Sequence, residues 1–147
     1  MAILVSGCNK SSKEQVIWYE DMELAIEKHL ENLGATELNR IEIDNNIETL
    51  IFYRLNQIEG MGLSSVVYHT NQGYQVKQIV YPLLVNMVQL DYVSNSGETI
   101  LLTLGKAPDK KQKSIILEGV LRSYNLPVFD GYYFDTNLEP FYRYKSQ

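Results

Sequence analysis

Ile47-Glu48-Thr49-Leu50-Ile51-Phe52-Tyr53-Arg54-Leu55 is the stretch that decides the fold. Leu50 and Phe52 fall on one side of an extended chain, and Ile51, Tyr53 and Leu55 on the other. A strand that is apolar on both faces is central, covered from two sides. The only strong helical period in the chain precedes it. Met22, Ile26, Leu30 and Leu33, with Ala25 and His29 beside them, recur at three- and four-residue spacing. The spacing predicts a helix over 20–33, with acidic residues at its start, where they complement the dipole, and Gly34 as its left-handed cap. Packed on the strand, this helix puts the face of Ile26 and Leu30 over Leu50 and Phe52.

Outward from that pair the period is two. Ile41 and Ile43 alternate with Glu42 and Asp44, and Asp44-Asn45-Asn46 makes a turn. Gly60-Met61-Gly62 reads as a hairpin loop rather than a phosphate cradle, because no helix follows it. Leu63–Thr70 and Tyr74–Tyr81 form a hairpin about Asn71-Gln72-Gly73, and Pro82 marks a boundary. Val85–Val93, Thr99–Leu104, Ser114–Glu118, a strand or turn over Val120–Tyr124, Val128–Asp135 and Phe141–Tyr144 complete the series. The fold class is therefore α+β, mostly β, with one N-terminal helix on antiparallel sheets of eight to ten short strands. Two architectures satisfy the pattern. In the first the helix packs on a four-stranded sheet ending near Tyr81 and the rest forms a sandwich. In the second all strands close into a small barrel.

The start of the chain bears on location. Val5-Ser6-Gly7-Cys8 has the form of a bacterial lipobox: an apolar residue, two small residues and a cysteine. Met1–Val5 matches the tail of an apolar signal stretch, without the basic residues of a full signal peptide. Residues 1–8 read as a remnant of a lipoprotein signal, 9–15 as a polar tether, and 16–147 as one globular domain. Cys8 is then the lipidation site and the protein sits on the outer face of the bacterial cytoplasmic membrane. The alternative is a cytoplasmic protein with a free thiol at Cys8. Two acyl chains, at about 0.8 kcal/mol per buried methylene, hold a protein on a membrane durably.

Three segments carry a resemblance: Leu24-Ala25-Ile26-Glu27-Lys28, Thr49–Tyr53 followed by Gly60-Met61-Gly62-Leu63, and Ile100–Lys106 ending in Leu104-Gly105-Lys106. In this order they resemble small, uncharacterised lipoproteins of Gram-positive bacilli. The resemblance implies an anchored outer-surface protein and brings no activity or catalytic residue with it. A weaker similarity, resting on strand count and lipobox, is to lipocalin-like bacterial lipoproteins, which implies a barrel holding a small hydrophobic ligand.

Composition narrows the function. A net charge of −5 argues against a nucleic-acid binder, and a single cysteine allows no internal disulfide. His29 and His69 have no partner at metal-ligand spacing, and Asp135-Thr136-Asn137 reads as a turn. No catalytic motif, metal site or cofactor loop is evident. Lys106, Lys110, Lys111 and Lys113 form a basic loop suited to an anionic lipid or a cell-wall polymer. Tyr132 and Tyr144, from an aromatic set that mainly serves the core, are candidates for rings exposed beside it. The expected function is an anchored binding or interaction module. A ligand-binding barrel is the second reading and a hydrolytic enzyme the third. A shared cleft holding two carboxylates, or a carboxylate and a histidine, is the feature that would favour hydrolysis.

Overall fold

Among the described residues, helix α1 (Met22–Leu33) is followed by ten strands: β1 (Ala35–Ile43), β2 (Glu48–Leu55), β3 (Met61–His69), β4 (Gly73–Leu83), β5 (Met87–Val93), β6 (Thr99–Lys106), β7 (Ser114–Glu118), β8 (Ser123–Pro127), β9 (Tyr132–Asp135) and β10 (Arg143–Tyr144). The structure is a computed structural model and describes residues 16–139 together with the backbone of 143 and 144. All strand pairs are antiparallel. They form three sheets, a four-stranded meander β1-β2-β3-β4 and two three-stranded sheets ordered β5-β6-β9 and β10-β7-β8. None closes into a barrel, so the sandwich-type architecture is the one adopted.

The elements stack in layers. α1 covers one face of the meander through a buried cluster of Ile26, Ile51 and Val66, flanked by Met22, Leu30, Tyr74 and Val76. The opposite face, with Leu50, Phe52, Met61, Leu63 and Val80, packs on Leu102, Leu104, Tyr132 and Phe134 of the β5-β6-β9 sheet. A third cluster unites the far side of that sheet with β7 and β8 through Tyr133, Ala107, Ile115, Leu117, Leu126 and Leu138. β2 is thus central, buried at six successive positions. The expected placement of Leu50 and Phe52 beneath the helix is corrected. The two faces of β2 alternate as expected, but Ile51 faces Ile26, while Phe52 stacks against Phe134 at a centroid distance of 5.3 Å. Periodicity separates two faces and does not say which neighbour covers each.

Boundaries shift for identifiable reasons. Asp21 caps α1 by accepting the Leu24 N–H at 2.9 Å, so the helix begins at Met22 rather than Glu20. Gly34 is left-handed (φ 63°), as expected. β1 starts directly after it, not at Arg40, because a register shift between Glu37 and Asn39 disrupts the alternation. β4 runs through Pro82 to Leu83, which an edge strand tolerates. Val128–Asp135 is not one strand, because Asp130 (φ 48°) and Gly131 (φ 87°) turn the chain between Phe129 and Tyr132.

Two glycines lie beneath tyrosine rings. Gly62 pairs with Tyr53 and Gly105 with Tyr133 across their ladders, and both tyrosines are fully buried. A Cβ on either glycine would sit within the facing ring. Gly105→Ala is expected to cost about 1–3 kcal/mol by forcing Tyr133 out of its rotamer. Urea unfolding checks this in a Tyr133→Leu background, where the ring is gone and adding the Gly105→Ala methyl should cost little further stability.

Candidate functional site

The layer between the meander and the β5-β6-β9 sheet changes character along its length. Near its middle the facing side chains are apolar. Toward the β1–β2 and β5–β6 turns the same inward positions carry Glu48, Ser65 and Tyr92. Glu48 has no exposed surface. Its carboxylate accepts from the Ser65 hydroxyl, the Tyr92 phenol and the Asn95 backbone N–H, the last at 2.8 Å. Three donors from two sheets and a turn thus surround one buried carboxylate, which satisfies a group that is costly to desolvate. Burial foremost, and the adjoining Glu48 carboxylate next, push the Tyr92 phenol up to about 12. Asp44 braces the same end by accepting from the Ser96 N–H at 2.9 Å and from the Ser96 hydroxyl.

Above Glu48 opens a cleft of about 390 Å³. Its walls include Gln75, Lys77 and Gln78 from β4, Ser94 and Asn95 from the β5–β6 turn, and His69 at the end of β3. The size falls in the range of small-molecule sites. The lining is rich in neutral amides and hydroxyls, with one lysine at the rim. A carboxylate and a histidine do share this cleft. Glu48, however, already accepts three hydrogen bonds and presents no surface, which leaves it poorly placed as a general base.

A second polar pair lies on the helix side of the meander. His29 Nε2 and Ser64 Oγ are 2.7 Å apart, the geometry of a base and a nucleophile. Ser64 is fully buried, so its hydroxyl cannot meet a substrate without displacing α1. Burial lowers the His29 pKa, keeping the ring neutral and able to satisfy Ser64 in either tautomer. Nearby, the Tyr53 phenol accepts from Gln78 at 3.1 Å, and burial raises its pKa.

The basic loop lies at the opposite end of the sandwich. Lys106 pairs with Glu59 at 3.1 Å, and Lys110, Lys111 and Lys113 are exposed. The loop lies against the turn before β9. Ala107 N–H donates to the Gly131 carbonyl at 2.8 Å, and the Lys110 side chain runs beside Gly131. Tyr132 is corrected. Its ring is buried and its hydroxyl accepts from the Gly60 N–H at 3.2 Å, because its strand parity points it at the meander. Tyr144 lies on β10, paired with Leu117. Cys8, the tether and the residues before Val16 lie outside the described residues. Among the described residues, no helix is long and apolar enough to cross a membrane and no group of three potential metal ligands occurs.

Sequence reasoning missed the Glu48 cleft. The available signal was parity, since Glu48 shares the inward side of β2 with Leu50 and Phe52, where an acidic residue needs partners. Comparison of the chain with protein-family models, with curated proteins and with solved structures finds no match.

Proposed function

We propose that this chain is a binding module, lipid-anchored through Cys8 on the outer face of the bacterial cytoplasmic membrane, and that its ligand sits in the inter-sheet cleft. The observation that carries the binding reading is the cleft of about 390 Å³, walled by amides and hydroxyls and stiffened from below by Glu48. Pre-formed walls reduce the ordering cost of binding. Side-chain amides and hydroxyls suit a ligand rich in the same groups, as the glycan and peptide of a cell-wall polymer are. An anchored protein would meet that polymer.

Soluble peptidoglycan fragments, titrated against the chain and followed by backbone amide NMR, test the proposal. Shifts should concentrate at Ser65, Ser94 and Asn95. Gln75→Leu, which leaves the Glu48 cluster intact, should weaken binding about tenfold, the equivalent of one good hydrogen bond. Absence of binding, or binding indifferent to Gln75→Leu, overturns the assignment of the cleft. Hydrolysis is the second reading, since Glu48 and His69 line one cleft, although its three donors hold Glu48 away from a substrate. Cleavage of the fragments by the wild type, lost in Glu48→Gln with binding retained, would replace the first reading by the second.

A further inference from the structure

The end of the molecule opposite the cleft has an unusual surface. The β2–β3 turn, the β4–β5 loop, the start of the basic loop and the turn before β9 converge there. Leu83 pairs with Met61 beside Gly60, Lys106 N–H donates to Asn86 at 2.8 Å, and Lys106 Nζ reaches Glu59. These contacts bring three large apolar side chains to one rim. Ile58 is 68% exposed, Leu84 58% and Val85 41%. Basic residues surround them, with Arg54 bonded to Asp130 at 2.9 Å, Lys106, and the exposed Lys110, Lys111 and Lys113.

Charge and chain direction add to this. The opposite end carries Asp21, Asp44 and Glu98 around its turns, while this pole sets Arg54, Lys106, Lys110, Lys111 and Lys113 against Glu59, Asp109 and Asp130. The N-terminal segment leads to that same pole. Tyr19 and Tyr74 exchange both backbone hydrogen bonds as an antiparallel bridge, 3.0 and 2.7 Å long. Traced backward from Tyr19, the chain therefore runs along β4 toward Leu83, and Val16 and Ile17 share a groove with Gln78 and Tyr81. A chain from Val16 to Cys8 spans at most about 29 Å. A lipid on Cys8 is therefore within reach of the basic, apolar pole.

We propose that this pole lies directly on an anionic lipid bilayer. Ile58, Leu84 and Val85 enter the boundary between headgroups and acyl chains, and Lys110, Lys111 and Lys113 meet lipid phosphates. Apolar groups ringed by lysines are the surface pattern of interfacial binding, in which both terms act together. The acidic pole and its cleft then face outward. The proposal deepens the anchored reading, but direct lipid contact is testable without the anchor.

The unlipidated chain is sedimented with vesicles of phosphatidylglycerol and phosphatidylcholine, with vesicles of phosphatidylcholine alone, and with purified polyglycerol-phosphate polymer. Binding to the anionic vesicles is expected, with little to the neutral ones. Ile58→Ser/Leu84→Ser should weaken it about tenfold, as should Lys110→Gln/Lys111→Gln/Lys113→Gln, and the lysine variant should lose most of the salt sensitivity. Leu121→Ser is the control. Leu121 is 86% exposed at the tip between β7 and β8, away from this pole, and its loss should change nothing. All these residues are exposed, so thermal unfolding of each variant should match the wild type. A fluorophore on Ile58→Cys in a Cys8→Ala background should shift to the blue on anionic vesicles, and one on Asn46→Cys should not. Failure to bind anionic vesicles overturns the proposal. So does lipid binding that ignores Ile58 and Leu84, or depends on Leu121. Binding to the polymer alone would make the occupant a wall polyanion. Failure of the anchored reading itself appears separately, as equal cytosolic recovery of wild type and Cys8→Ala in a Gram-positive host.

Discussion

Phe52→Ala is expected to lower the unfolding free energy by about 3–5 kcal/mol, read as a shift of the urea midpoint at constant slope. Phe52 has no exposed surface, lies in the most central strand and stacks on Phe134 of the facing sheet. Truncation removes the ring from the contact between both layers, and the two hydrogen-bonded sheets cannot collapse around the gap without straining their ladders. Phe52→Leu should recover more than half of the loss. A cost below about 1 kcal/mol for the alanine variant would mean that the two sheets do not pack through this position.

Glu48→Ala is expected to cost about 2–4 kcal/mol, for a different reason. It leaves the Ser65 hydroxyl, the Tyr92 phenol and the Asn95 N–H without their common acceptor at the floor of the cleft. Unsatisfied buried donors cost more than the same bonds contribute when made. Glu48→Gln should be much milder, because the hydroxyls can rotate to accept from the new amide while its oxygen takes the Asn95 N–H. If the two variants unfold alike, the hydrogen bonds do not hold this end of the sandwich together. The phenol offers a second reading of the same cluster. Its pKa is raised from 10 to about 12, so its contribution to stability is complete below pH 10 and lost as pH climbs toward 12. Tyr92→Phe should therefore show a shallower alkaline decline than the wild type.

How much of this was legible in the sequence follows from the range of the interactions. α1 and the β3–β4 hairpin could be read because their causes are local, a three-to-four spacing and the Asn71-Gln72-Gly73 turn. The central position of β2 was legible from its two apolar faces. Which face met the helix was not, since either assignment buries the same residues. Asp130-Gly131 is a hairpin signal within the aromatic run Val128–Asp135, and the structure turns there. Tyr132 as a surface ring failed on parity, which the turn resets. The Glu48 cluster draws Ser65, Tyr92 and Asn95 from three separated stretches, and only the register of two sheets brings them together. The basic loop was visible as composition. Its partnership with Ile58 and Leu84 was not, because those residues arrive from two other loops.

The meander has a consequence for the order of events during synthesis. Residues 22–83 contain α1 and all four strands of that sheet, each paired with its neighbour in sequence. Such local pairing forms fast. The cover for its second face comes from β6 and β9, and β9 follows the whole β7–β8 hairpin. A nascent chain therefore completes its first sheet while Leu50, Phe52 and Leu63 are still bare to solvent. Until Tyr132 and Phe134 emerge, the half-made protein presents a finished apolar face beside a β4 edge covered only in part by the segment around Tyr19, a combination that favours association between chains. Refolding yield should depend on protein concentration far more steeply than native stability does, and a chain stopped at Leu83 should aggregate with its hydrogen-bonded sheet intact.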